Sequence, residues 1–179
     1  MVDGNDVDLV LEAQRGDLDA FTALVERSWA RLVRFARSVA GDGDAEDIVQ
    51  NSLVIAWERL GSLRCPEAFS AWVMRIVARA SFREVRRRSR QTPLAAAANL
   101  GDPGSAREQE RIDVERVLAL LPPRQRAVMH LTVIEGMSDS DIGAALGITA
   151  ASVRSHRRRA RETLIPCLRR QGIGEGTEP

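Results

Sequence analysis

Residues 136 to 161 read GMSDSDIGAALGITAASVRSHRRRAR, and the punctuation of this stretch decides the fold. Ser138, Asp139, Ser140 and Asp141 form a start like a capping box. Ile142, Ala145 and Leu146 then pack one short helix, Gly147 supplies a tight turn, and Thr149 caps a second helix that carries Val153, Ala160 and Leu164 inward. Two helices about one glycine turn make a helix-turn-helix. The second helix turns Arg154, Ser155, Arg158, Arg159 and Arg161 outward, with His156 near its start, a set suited to base edges and phosphates in a major groove. Arg157 falls on the inward line from Val153, so it must snorkel or replace an apolar contact.

Working outward, Ile112, Val114, Val117, Leu118 and Leu121 mark a helix ended by Pro122 and Pro123, and another runs from Arg124 to Ile134. Residues 91 to 109 hold Pro93, Pro103, Gly101, Gly104 and a run of four alanines without an amphipathic period, and read as a linker. Within it, Leu94 to Asn99 has room for a turn or two of helix on a partner. N-terminal to the linker, Asp17 is an N-cap, and Phe21, Leu24, Val25, Leu32, Phe35 and Val39 give an amphipathic helix ending at Gly41. Another begins at the Gly-Asp-Gly-Asp turn of residues 41 to 44, with Asp44 as its cap and Glu46 and Asp47 in its first turn, and runs to Leu60 and Gly61. A third begins near Pro66 and continues to about Arg88. The tail after Arg170 is glycine-rich and reads as frayed. The expected fold is all-α, with two small helical domains on a flexible linker and the helix-turn-helix in the second.

Composition agrees. Of 179 residues, 44% are apolar, 28% charged and only 4% aromatic, with no tyrosine, so strand signals are weak. No apolar run approaches the ~20 residues of a membrane span, and the first eight residues have no basic-then-apolar order, so neither membrane insertion nor secretion is expected and the cytoplasm is. Cys65 and Cys167 are far apart, and His130 and His156 stand alone, too sparse for a zinc cluster or a disulfide framework. Phosphate-loop, dinucleotide, zinc-protease and serine-hydrolase motifs are missing. Neither enzyme activity, cofactor nor metal is expected.

The net charge of +1 conceals blocks. Residues 1 to 58 carry a net −7, residues 59 to 90 a net +7, residues 91 to 150 a net −3 and the remainder a net +4. All 26 basic side chains are arginine. Two basic segments, each following an acidic one, point to two surfaces for a polyanion and two for something else. On the third helix, Arg75, Arg79, Arg83, Arg86 and Arg90 share one face, with Phe82 beside them and Trp72 a turn before. Guanidinium groups about one turn apart, ~5–6 Å, approach the spacing of phosphates along a strand, and aromatic neighbours can stack on unpaired bases. On the preceding helix, Val49, Leu53, Ala56 and Leu60 form a core stripe, while Asp47, Gln50, Asn51 and Val54, flanked by Trp57, form a polar stripe that on pattern alone reads as a solvated surface ahead of a protein-binding face. A metal site from Asp42, Asp44, Glu46 and Asp47 lacks EF-hand spacing.

In order and spacing, these segments resemble the extracytoplasmic-function (ECF) group of bacterial RNA polymerase sigma factors, built of regions 2 and 4. Gly16-Asp17 with Ala20-Phe21, Asp44-Ala-Glu-Asp-Ile-Val-Gln50, Phe69 with Trp72 and Arg75-Ile76, and the arginines to Arg90 resemble region 2. Leu121-Pro-Pro-Arg-Gln-Arg126, Gly136 to Ile142, Leu146-Gly147, Val153-Arg-Ser155 and Arg159-Ala-Arg161 resemble region 4. The resemblance implies that Asp47, Gln50, Asn51, Val54 and Trp57 contact core RNA polymerase. It implies that the loop from Leu63 to Phe69 captures an unpaired base of the minus-ten element and that the next helix guides the melted strand, with Arg64, Cys65, Glu67, Phe69, Trp72, Arg75, Arg79, Arg83 and Arg86 at that DNA. By the same resemblance, Arg154, Ser155, His156, Arg158 and Arg159 read the minus-thirty-five element in duplex form, and an anti-sigma factor restrains the protein. Four positions depart from the pattern: Arg79 replaces a common asparagine, Asp141 a glutamate, Ala151-Ser152 a Gly-Thr pair and Arg157 an aliphatic residue.

The expected organisation is region 2 over 1–90, linker over 91–109, region 4 over 110–171 and tail over 172–179. Two rivals predict different behaviour. A regulator using the helix-turn-helix alone binds duplex DNA tightly without polymerase, and a metal-dependent enzyme built on the acidic cluster is stabilised by metal.

Overall fold

The computed structural model describes residues 4–91, 114 and 116–170, and the regular elements among them are helical. Helix α1 (Gly4–Gln14) lies ahead of the first helix expected from sequence. Its buried positions are Val10 and Ala13, and Gln14 donates through Nε2 to the carbonyls of Leu60 (3.0 Å) and Leu63 (2.7 Å), tying it to the end of α3 (Ala45–Arg59). Helix α2 (Leu18–Ala40) starts as its sequence requires: Asp17 Oδ1 accepts from the amides of Asp19 and Ala20 at 2.9 and 3.0 Å. Gly41 follows its end.

Asp44 precedes α3 without capping it; its carboxylate instead pairs with Arg88 of α4 (Phe69–Gln91). The cap expected there is thus replaced by a tertiary ion pair. The same arginine donates through Nη1 to the Ala40 carbonyl at 2.8 Å, satisfying an orphan acceptor at the end of α2. Short 3-10 turns at Leu60–Ser62 and Pro66–Ala68 connect α3 to α4.

Of the helix expected ahead of Pro122, Arg116 to Ala119 is helical, and Ile112 lies outside the described residues. So do the linker beyond Gln91 and the tail from residue 171. Helices α5 (Pro123–Val133), α6 (Asp139–Leu146) and α7 (Ala150–Arg170) complete the chain.

Apolar periodicity converts directly into core. Phe21, Leu24, Leu32, Phe35 and Val39 of α2, Val49, Leu53 and Ala56 of α3, with Leu60 just beyond it, and Val73, Met74 and Val77 of α4 are all buried. This core continues without a break into Ala127, Val128 and Leu131 of α5, Ile142 and Ala145 of α6 and Val153 of α7. A smaller cluster of Leu118, Leu121, Met129, Ala160 and Leu164 backs the far side of α7. The two helical regions foreseen as tethered modules therefore pack on each other, α5 against α2 and α6 against α4.

Candidate nucleic-acid interface

The helix-turn-helix is held by local chemistry. Ser138 Oγ accepts from the Asp141 amide at 3.2 Å, and Gly147 adopts φ 68°, the left-handed turn that glycine supplies most cheaply. Thr149 Oγ1 accepts from the Ser152 amide at 3.1 Å, capping α7. A Cβ on Gly143 would lie 2.8 Å from the Ile148 carbonyl oxygen, so α6 and α7 approach more closely here than any side chain permits.

With Val153, Ala160 and Leu164 buried, α7 turns Arg154, Arg158 and Arg159 to solvent, while Ser155 and His156 are half-buried. Arg154 and Arg158 are 60% and 70% exposed, and Arg158 pairs with Glu162 one turn on at 3.2 Å. Burial, then the positive charges of Arg124 and Arg159, hold the His156 imidazole below its ordinary value. Arg157, the residue out of place in the apolar line, neither snorkels nor packs as an apolar substitute: its two terminal nitrogens donate to Asp139 Oδ1 (2.7 Å) and Oδ2 (3.2 Å).

Helix α4 carries the second basic face. Arg79, Arg83, Arg86 and Arg90 are exposed, as are Arg64, Cys65 and Glu67 in the loop ahead of it. Cys65 donates to Glu67 Oε2 at 3.0 Å; the hydrogen bond and the carboxylate charge push the thiol up and hold the acid down. Trp72 is half-buried, whereas Phe69 is only 5% exposed and lies 6.3 Å from Trp72. Phe69 thus supports the loop from beneath rather than offering a face for a base to stack on. Phe82 is also engaged, with the Arg124 guanidinium 5.2 Å above its ring.

A third surface has a different chemistry. Asp47, Gln50, Asn51 and Val54 are exposed along α3, with Val54 at 58%, and Trp57 is half-buried against Phe21 at 5.0 Å. Asp47 and Asn51 line a groove of about 450 Å³ between α3 and α4, closed on the other side by Arg83, Glu84 and Arg87. Glu84 braces it: Arg87 and Arg88 both pair with its carboxylate, and Arg87 holds that carboxyl below its ordinary value.

Arg75 of α4 is engaged by the second region. Its Nε donates to the Ala144 carbonyl at 2.8 Å, at the C-terminal end of α6, where orphan carbonyls attract a cation. Glu135 is the centre of the other contact, 2.9 Å from Arg31 Nε and 3.4 Å from Arg34 Nη2, both on α2, and 3.8 Å from His130 Nε2. His130, Arg31 and Arg34 together hold its carboxyl down at about 2 against the opposing effect of burial. Arg126 adds a staple, donating to the carbonyls of Ser38 (3.2 Å), Ala119 (2.7 Å) and Leu121 (3.0 Å). Sequence reasoning identified none of Glu84, Arg88, Arg126 or Glu135 as organising residues; an acidic side chain among arginine-rich neighbours was the only signal. Among the described residues no three metal-ligating side chains gather, and no helix is long and apolar enough to cross a membrane.

Comparison with known proteins gives matches to both helical regions. Residues 24–91 match the model of sigma-70 region 2, and residues 111–164 that of sigma-70 region 4. The ECF RNA polymerase sigma factor SigM of Mycobacterium tuberculosis is 32% identical over 92% of this chain and 85% of its own. RNA polymerase sigma factor CnrH of Cupriavidus metallidurans is 33% identical over 91% and 95%. The solved structure of CnrH with the cytosolic domain of CnrY superimposes with a TM-score of 0.72 at 28% identity, covering 93% of this chain and 98% of that one. RpoE of Bartonella quintana, solved with the anti-sigma factor NepR, shares the fold with a TM-score of 0.73 at 24% identity, covering 85% and 98%. Two sigma-70 regions in order, with relatives aligned over nearly their whole length, establish that the chain belongs to the ECF family of RNA polymerase sigma factors, the non-enzymatic subunits that bind core polymerase and direct it to promoters.

Proposed function

We propose a division of this sigma factor's work among its three surfaces. The α3 ridge of Asp47, Gln50, Asn51, Val54 and Trp57 docks on core polymerase. The loop from Arg64 to Glu67, with Trp72, Arg75, Arg79, Arg83 and Arg86, holds the melted strand of the minus-ten element, and Phe69 keeps the loop in shape. Arg154, Ser155, His156, Arg158 and Arg159 read the minus-thirty-five element in the major groove. One observation carries the reading: Asp47, Gln50, Asn51 and Val54 on α3 present carboxylate, amides and an apolar side chain to solvent, while Arg79, Arg83, Arg86 and Arg90 on α4 and Arg154, Arg158 and Arg159 on α7 present guanidinium groups. Duplex opening then draws on binding energy alone, since unstacking a base costs a few kcal/mol and stacking contacts return ~1–3 kcal/mol each.

The functional units in this reading are 1–90, a connector over 91–109, and 110–171 with a tail over 172–179. The protein works in the cytoplasm, where polymerase and promoter are. CnrH is solved with the cytosolic domain of CnrY, and we infer a comparable anti-sigma partner here. Run-off transcription on genomic fragments, with purified core polymerase and with or without this protein, tests the whole. New discrete transcripts that need both components support it; transcripts unaffected by the protein overturn it.

A further inference from the structure

The pair Asp139–Arg157 is not required by the sequence logic of a helix-turn-helix, since the inward line of α7 takes an apolar residue at that register. The structure puts a charge there and answers it. Arg157 is 27% exposed and Asp139 21%, and the guanidinium meets both carboxylate oxygens, the planar fork that fixes orientation as well as distance. The same carboxylate has a second neighbour: Arg154 Nη1 stands 3.8 Å from Asp139 Oδ2, on the exposed side of α7. That separation lies within ion-pair range and beyond hydrogen-bond length, so it steers the side chain without locking it.

Two anchor points determine how α6 and α7 cross. At the turn, Gly143 and the Ile148 carbonyl set the closest approach; at the open end, Asp139 in the first turn of α6 grips Arg157 two turns into α7. One contact alone leaves a hinge, and two remove it. We propose that Asp139 is a positioning residue for promoter reading: holding Arg157 on the inner side and facing Arg154 on the outer, it sets the rotation of the recognition helix and the place where the Arg154 guanidinium enters the groove. The inference rests on the assignment of α7 to the upstream element.

The test uses holoenzyme reconstituted from core polymerase and the full chain, binding promoter fragments selected by run-off transcription, each upstream base pair substituted in turn. Asp139→Ala is expected to reduce discrimination about two- to fivefold at the base pair whose readout Arg154→Ala abolishes, and to have no further effect there in the Arg154→Ala background. Arg157→Leu removes the inner anchor and is expected to reduce that discrimination as Asp139→Ala does. Asp139→Asn, which keeps the shape, serves if the alanine variant does not fold, with the same loss expected. A purely structural Asp139 would weaken binding equally at every upstream position and add to Arg154→Ala; either result overturns the proposal. If Arg154→Ala affects no position, the assignment of α7 falls and the inference with it. If Arg154→Ala acts and both Asp139 variants discriminate like the parent, the inference alone falls.

Discussion

Gly143 and Arg154 mark two kinds of dependence on a single side chain. At Gly143 the neighbour is backbone, the Ile148 carbonyl oxygen, which cannot swing aside as a side chain does. Gly143→Ala is expected to cost about 1–3 kcal/mol by forcing α6 from α7, read as a lower denaturation midpoint in urea. An unchanged midpoint would mean the turn yields freely. Arg154 and Arg158 are exposed and contribute nothing to the core, so Arg154→Ala or Arg158→Ala should leave that midpoint alone and cost about 1–3 kcal/mol at the upstream element. The loss should be promoter-selective in run-off assays; a uniform loss would reassign the residue to phosphate contact. At this scale the sequence disclosed which α7 residues point outward, because periodicity sorts the faces. It left open how Arg157 is accommodated, because its partner sits 18 positions away on another helix. Asp44 failed as an expected cap for the same reason: Arg88, 44 positions on, competes for its carboxylate.

Among the helices, legibility followed the width of the buried stripe. Helices α2, α3 and α4 each bury several residues at helical spacing, and their extents agree with the sequence to within a few residues. Helix α1 buries Val10 and Ala13, and its remaining half-buried residues give no clean period, so tertiary contact with α2 and the Gln14 side chain define it where pattern does not. The polar stripe of α3 was undecidable as periodicity, since solvated and docking faces have the same spacing. Gln50→Arg or Asp47→Arg places a cation within the ridge of Asp47, Gln50, Asn51 and Val54 and should weaken core association in a pull-down without changing the helical content, as both positions are exposed. Retained association would remove α3 from the docking surface.

The packing of the two regions was invisible to sequence, because Arg31 and Arg34 meet Glu135 across about a hundred residues and only folding brings them together. Yet this packing bears on promoter use. By the elements' own numbering they lie about 25 base pairs apart, ~85 Å at 3.4 Å per step, whereas a compact chain of this length has a radius of gyration of ~16 Å. By the assignment proposed above for the two basic faces, the arrangement with Arg75 bonded to Ala144 and α6 against α4 cannot reach both elements together, and promoter engagement then requires the regions to part. Glu135 contributes to holding them. Its carboxyl, ordinarily at 4.5, is held at about 2 in the folded protein, so its stabilisation is fully present above about pH 4.5 and is lost as pH falls through about 2. The depression corresponds to ~3 kcal/mol before solvent screening and nearer ~1–2 kcal/mol after it. Between pH 5 and 8 Glu135 therefore stays ionised. Glu135→Arg sets a third cation beside Arg31 and Arg34 and should part the regions, raising the radius of gyration in solution scattering by several ångströms while helical content persists. A scattering curve identical to the parent's would show that the shared apolar core, from Phe35 and Val77 to Leu131 and Ile142, holds the regions together without this ion pair.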